Sequence, residues 1–277
     1  MPALFTFLRL TRFWNLLIVG ITQYCTAWFL VHHETLKDPG LALLSVSTIL
    51  IAAAGYIIND YYDVKIDRIN KPERVVIGKE MSRRLALMSH VILSAAGIML
   101  GTYLSWKIGL IQAVAVFALW LYSNALKRLP FVGNFVVALL TGATVLIVSV
   151  LYPPLTVLVW VYALFAFFMT LVREIIKDIE DLKGDDTFGC RTLPILWGVR
   201  PTKQFTYGLL LLFAMSVVLL HKLITPLPMG FFIGFLFVPM LILLIWLIRA
   251  DTKRNFQLLS RFCKWIMLAG IGSMAFL

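Results

Sequence analysis

Charge is scarce in this sequence. Of its 277 residues only 14% are Asp, Glu, Lys or Arg, against 61% hydrophobic, where soluble globular chains carry about 25% charged and about 45–50% apolar residues. With a mean hydropathy of +0.90, the composition excludes a soluble globular domain and indicates an integral membrane protein. Cysteine is equally sparse. Cys25, Cys190 and Cys263 form no CxxC pair, so neither a disulfide framework nor a zinc site is indicated. The four histidines (His32, His33, His90, His221) are scattered, which argues against histidine chemistry. No small-residue cleavage site follows the first apolar run, so that run is expected to be a retained first helix.

What is abundant is long apolar sequence. A spanning helix needs about 20 mostly apolar residues, and nine stretches meet that measure: 14–31, 41–59, 85–105, 108–124, 131–150, 154–173, 205–221, 228–248 and 262–276. Pro153-Pro154 and Pro226-Leu227-Pro228 are expected to be tight turns. Of the 25 Lys and Arg, all but Lys37, Lys107 and Lys222 fall in alternate connecting segments. The positive-inside rule therefore puts the N-terminus in the cytoplasm, with an odd number of crossings. The expectation is an all-α, polytopic protein of the cell membrane, a single domain over 1–277. The formal charge of +11 reflects this topology; no compact basic domain exists to bind nucleic acid.

Against this apolar background two acidic registers stand out. Asp60, Asp63 and Asp67 lie at i, i+3 and i+7, and Asp178, Asp181 and Asp185 repeat the spacing, with Glu174 one turn earlier. At roughly 100° per residue, such offsets fall within about 60° on one helix face. Three like charges on one face repel, so positive charge is expected to hold each stripe together, and Mg²⁺ shared with a phosphate-bearing substrate is the natural candidate. The matched registers also suggest two pseudo-repeated halves, about 1–127 and 128–277.

Both stripes fall on the predicted cytoplasmic side, together with Lys71, Arg74, Lys127 and Arg173. Acid and base beside an apolar interior suit a substrate with a charged head and a greasy tail. A prenyl diphosphate fits: Mg²⁺ on the carboxylates would bridge its oxygens, basic side chains would neutralise the rest, and diphosphate would leave. Apolar walls would keep water from the resulting carbocation, with Tyr61, Tyr62, Phe165 or Phe168 as candidate stabilising rings.

The motifs carry a family resemblance. Asn59 to Asp67, N-D-x-x-D-x-x-x-D, resembles the first aspartate-rich motif of the UbiA superfamily of intramembrane prenyltransferases. Arg173 to Asp181, continuing to Asp185, resembles the second. Tyr122 to Lys127-Arg128 is similar to the superfamily's Tyr…Lys element, and Arg12 to Asn15 (R-F-W-N) to its R-x-x-N motif at the first helix. The resemblance implies a nine-helix bundle around a central cavity, with a cytoplasmic cap holding Mg²⁺ and diphosphate. It carries over Asp60, Asp63, Asp67, Asp178, Asp181 and Asp185 as catalytic metal-site residues. Asn59, Arg68, Arg74, Lys127 and Arg173 carry over as diphosphate or metal-shell residues, and Asn15 as a pocket residue; Lys71 and Lys177 are further substrate-binding candidates.

Asp67 to Arg74 and the run R-E-I-I-K-D-I-E-D resemble the digeranylgeranylglyceryl phosphate synthase branch, which alkylates the free hydroxyl of an isoprenoid glyceryl phosphate. Where that branch carries a proline after the arginine, this chain has Val75, and Lys177 stands where other branches carry aspartate. The implied partners are a geranylgeranyl diphosphate, a lipid-soluble acceptor and membrane lipid, with no obligate protein partner. Aromatic acceptors, as in quinone biosynthesis, are the alternative. A transporter is the non-enzymatic alternative, disfavoured because the carboxylates lie at helix ends and not at the bilayer midplane.

Overall fold

A computed structural model of the chain describes residues 3–70, 72–223 and 228–277, the side chains of 3, 4, 33, 70, 74 and 223 excepted. Among the described residues the regular structure is entirely helical. A short helix α1 (Ala3–Leu10) leads through a break at Arg12 into α2 (Phe13–Cys25), which continues as a π-helical turn over Thr26–Val31. The break is a backbone event: Arg12 sits in the left-handed region, φ 53° and ψ 56°.

The next helix, α3 (Pro39–Asn70), has 32 residues. It runs 11 residues past the expected apolar span, because neither proline nor glycine interrupts Asn59–Asn70. At about 1.5 Å per residue the extension adds roughly 16 Å, enough to lift the first acidic register beyond the hydrocarbon layer. The same occurs in α7 (Val157–Thr187), 31 residues long, which carries the second register. Between them lie α4 (Arg83–Leu104), α5 (Trp106–Asn124) and α6 (Val132–Leu151). After α7 come the short α8 (Leu193–Trp197), then α9 (Val199–Leu223), α10 (Met229–Phe232) with a π-turn, α11 (Val238–Arg249) and α12 (Lys253–Ser273). Hydroxyls cap several starts: Ser82, Ser105, Thr156 and Thr252 accept from the backbone of α4, α5, α7 and α12.

Eight helical segments among the described residues are long and apolar enough to cross a membrane. The chain is a multi-pass membrane protein. The ninth expected span, 262–276, falls in α12, which starts nine residues earlier and ends at Ser273. Its 21 residues suffice in length, but Lys253, Arg254, Arg261 and Lys264 dilute its hydropathy. The expected turn at Pro226-Leu227 lies outside the described residues.

Two helices form the centre. The apolar stretches of α7 and α3 are 72% and 61% buried, whereas the other six spans reach at most 39% and expose residues such as Met99, Tyr103 and Leu211 to lipid. α7 packs on α6, α9 and α12, α3 packs on α4, α5 and α2, and α3 also touches α7. Some polar groups inside the bundle pair across helices, which spares them the cost of facing lipid unsatisfied. Gln23 donates to Thr48 Oγ1 and the Thr144 carbonyl and accepts from Ser45, tying α2, α3 and α6 together.

Candidate active site

The first register is held by cations from other helices. Arg12 Nη2 donates to Asp60 Oδ1 at 2.9 Å, and its guanidinium lies 4.9 Å from the centre of the Tyr56 ring. Lys127, in the turn Leu126–Arg128 after α5, pairs with Asp63. The carboxylates are largely enclosed, 18% exposed at Asp60 and 15% at Asp63, so these pairs operate where water screens little. Asn59 donates to Asp60. Asp67 is half-buried one turn further on. Val75, Val76 and Ile77 close over Asp60 and Asp67, leaving a crevice of about 10 Å³. That segment is pinned by Glu80, which accepts from Thr6 at 2.9 Å and pairs with Arg9. These bonds hold the Glu80 carboxyl below its usual range, the Thr6 hydroxyl contributing most and Arg9 adding to it.

The second register projects from α7. Asn134 of α6 donates to Asp178 Oδ2 at 2.9 Å. Glu174 pairs with Arg173 and, at 3.4 Å, with Lys177. Asp181 and Asp185 are half-buried. The chain after α7 turns back: Arg191 N donates to the Arg128 carbonyl at 2.8 Å, which ties this end of α7 to the turn carrying Lys127.

The Arg191–Arg128 bond brings the end of the second register near the Lys127 that pairs with Asp63 of the first. Tyr122 of α5 feels the field of Asp63 from α3 and of Glu174 and Asp178 from α7. Cys190 feels Asp185 together with Asp63 and Lys127. Arg12 lies within the field of Asp60, Asp67 and Glu174. Helices separated by three intervening ones thus carry their carboxylates among Arg12, Lys127, Arg173 and Lys177.

Of the other sequence-derived candidates, Asn15 accepts from Lys264 Nζ at 3.4 Å. Arg68 is exposed at the end of α3. Lys71 lies outside the described residues, as does the side chain of Arg74. The proposed stabilising rings are engaged in packing: Arg83 covers the Tyr61 face at 4.6 Å, Tyr61 stands edge-on to Tyr62, and Phe165 and Phe168 pack on Phe213 in the core.

A model of the UbiA prenyltransferase family matches residues 16–265. The chain belongs to that family. It is a prenyltransferase, an enzyme moving alkyl groups other than methyl. The chain is similar to the digeranylgeranylglyceryl phosphate synthase of Thermococcus kodakarensis, 40% identical over 193 residues covering 69% of each chain. It is 38% identical to that of Natronomonas pharaonis over 220 residues, 78% of this chain and 76% of the relative. A solved digeranylgeranylglyceryl phosphate synthase structure superposes with a TM-score of 0.75 at 25% identity, over 100% of both chains. A UbiA homologue from Archaeoglobus fulgidus, solved with DMAPP and Mg²⁺, shares the fold at TM-score 0.69 and 16% identity, over 98% of this chain and 100% of the homologue.

Three residues beside the acidic registers, Asn134, Arg12 and Lys264, escape a reading based on acidic spacing. Asn134 bonds Asp178 from inside an apolar helix, and an intramembrane asparagine is costly without a partner; the argument applied to Asn15 points equally to Asn134. Arg12 sits inside a recognised motif but acts as a charge anchor for Asp60. Lys264 counts as a topology signal in the sequence, and only folding brings it to Asn15.

Proposed function

We propose that this UbiA enzyme transfers a geranylgeranyl group from its diphosphate to the free hydroxyl of an isoprenoid glyceryl phosphate, making an ether-lipid precursor in the cell membrane. The observation carrying the chemistry is that Lys127 pairs with Asp63 of one register while the neighbouring Arg128 carbonyl accepts from Arg191 just beyond the other, whose Asp178 is held by Asn134. The acceptor class follows from the relatives, named digeranylgeranylglyceryl phosphate synthase at 40% and 38% identity. The topology that goes with this reading has α12 as the ninth crossing, a cytoplasmic N-terminus and two related halves, one ending each long central helix in an acidic register.

The donor set suits Mg²⁺. Among the described residues no three His, Cys, Asp or Glu side chains are close enough to enclose a metal alone. Mg²⁺ is usually held by one or two carboxylates plus substrate phosphates, so oxygen donors from two facing helices, completed by diphosphate, match its habit. Asp60, Asp63 and Asp67 would hold it on one side, and Asp178, Asp181 and Asp185 on the other. When bound, the metal supplies charge stabilisation for the departing diphosphate.

The remaining work falls to side chains. Arg12 and Lys127, already at the carboxylates, would face the diphosphate oxygens and neutralise charge that the metal leaves over, with Asn59, Arg68 and Arg173 as further candidates. The C1–O bond of the donor breaks, diphosphate departs with the electron pair, and the acceptor oxygen forms the ether bond as its proton is released. The apolar bundle beneath excludes the water that would compete for the allylic cation.

The test is one assay of purified protein with geranylgeranyl diphosphate, offering geranylgeranylglyceryl phosphate, 4-hydroxybenzoate and 1,4-dihydroxy-2-naphthoate in parallel. Ether product from the first alone is expected. Prenylation of an aromatic acid alone would overturn the acceptor assignment.

A further inference from the structure

Most cations around the pocket are matched. Arg12 faces Asp60, Lys127 faces Asp63, and Arg173 and Lys177 share Glu174. Lys264 is different. It projects from α12, half-buried, and its hydrogen-bond acceptor is the neutral Asn15 Oδ1 at 3.4 Å. The charges acting on it are Arg173, Arg12 and Lys177, all repulsive, and Glu174. That carboxylate is already held by two cations. Beside it, Arg173 Nε is buried with no acceptor. A partly buried ammonium whose hydrogen-bond acceptor is a neutral amide, in the field of three other cations and one committed carboxylate, is an unbalanced charge, and such a charge is expensive away from water unless an anion joins it.

The imbalance has a direction. Asp63 meets its cation Lys127 where α3 faces the turn after α5, whereas Lys264, Asn15 and Arg173 come from α12, α2 and α7, and Arg12, at the start of α2, is already committed to Asp60. The second anion of a two-substrate reaction would find its counter-charge on this side. On the reading given above, the acceptor is itself a phosphate ester, so the reaction brings a diphosphate and a separate phosphate into one pocket. The two repel and need separate cationic seats.

We propose that Lys264, supported by the Arg173 guanidinium and oriented by Asn15, binds the phosphate of the glyceryl phosphate acceptor and sets the preference for a phosphorylated acceptor. This rests on the proposed acceptor class. The ammonium donates to the phosphate oxygens, Arg173 Nε gains its missing acceptor, and the acceptor's hydroxyl is presented toward the diphosphate side of the pocket.

The experiment compares wild type, Lys264→Met and Lys264→Arg, with geranylgeranylglyceryl phosphate and its dephosphorylated alcohol as acceptors. Binding of each acceptor is also measured calorimetrically in EDTA. A charged hydrogen bond worth about 1.5–3 kcal/mol corresponds to about 10- to 100-fold in affinity. Lys264→Met is therefore expected to raise the KM and Kd of the phosphorylated acceptor by about that factor. The KM of geranylgeranyl diphosphate and the Kd of the alcohol should stay within about twofold, and Lys264→Arg should restore most of the preference. A Lys264→Met protein that does not fold would leave Lys264→Arg and Asn15→Leu to carry the comparison, the latter weakening phosphate binding by misplacing the ammonium. Unchanged acceptor KM in a folded variant overturns the assignment while the acceptor reading stands. A KM rise confined to the prenyl diphosphate also overturns it, placing Lys264 on the donor. Absence of any ether product from wild type overturns the acceptor reading, and this assignment with it.

Discussion

Arg12 Nη2 lies 2.9 Å from Asp60 Oδ1, and the residue that makes this contact holds a left-handed backbone, φ 53°. The two facts are connected. The left-handed residue turns the chain between α1 and α2, and the same residue aims its guanidinium over Tyr56 at the first aspartate. A non-glycine residue pays about 1–2 kcal/mol for that conformation, a strain of the kind that collects at functional sites.

Arg12→Gly and Arg12→Ala separate the two roles. Both lose the Asp60 pair, and both should raise the KM for prenyl diphosphate by about tenfold or more, in line with a lost charged hydrogen bond. Only the alanine variant keeps the left-handed penalty, so glycine should be the more stable by about 1 kcal/mol. Thermal melting in detergent measures the difference. Equal stability would mean that the α1–α2 break is not strained.

Asp60→Ala and Asp178→Ala should each lower turnover by about 10²-fold or more, the scale of losing one charge-stabilising group, with the helical fold retained. Product formation at saturating Mg²⁺ and circular dichroism check this. Chelation of wild type by EDTA should abolish turnover, and added Mg²⁺ should restore it. Full activity in either variant would remove the aspartates from the metal site.

The Lys127–Asp63 pair is closed off from water, its side chains 10% and 15% exposed. Lys127→Met strands the carboxylate and should cost about 3 kcal/mol. Adding Asp63→Asn removes the stranded charge, so the double variant should recover most of the stability and none of the activity. A double variant as unstable as Lys127→Met would show that the cost lies in packing.

Glu80 links stability to pH. Its carboxyl is held below the ordinary value of 4.5, chiefly by the Thr6 hydroxyl and then by Arg9. A depressed carboxylate contributes fully above the unfolded value and loses its contribution as pH falls through the lower folded one. The docking of α1 should therefore hold at neutral pH and weaken below about pH 4.5. Hydrogen exchange of the α1 amides reports it, and Glu80→Gln should show fast exchange of α1 already at pH 7.

Gly270 sets how closely α12 approaches α7. A Cβ there would lie 2.2 Å from Phe165 Cε1, so Gly270→Val should destabilise by about 1–3 kcal/mol through overpacking. As α12 carries Lys264, the same variant should weaken acceptor binding more than donor binding. Melting temperature and the two KM values provide the test.

Much of this was legible beforehand because it is written in local pattern. Apolar runs of bilayer length, the bias of Lys and Arg to alternate connections, and the i, i+3, i+7 aspartates need no knowledge of neighbours. The ends of α3 and α7 were less legible: hydropathy marks where lipid stops, while helix propensity carries the two helices a further about three and four turns into the polar layer. Asn134 and Lys264 were hidden for another reason. Each is an ordinary polar residue in its own helix, and its partner comes from a different one.

The amino-acid order alone determined an all-helical membrane protein with two acidic registers, since membrane insertion and helix periodicity depend on residues close in sequence. Which cation meets which carboxylate, and that an uncompensated lysine stands beside Asn15, was decided only by the packing of α2, α3, α5, α7 and α12. Charges interact through space, and residues 249 apart in the chain, such as Asn15 and Lys264, become neighbours only when the bundle closes.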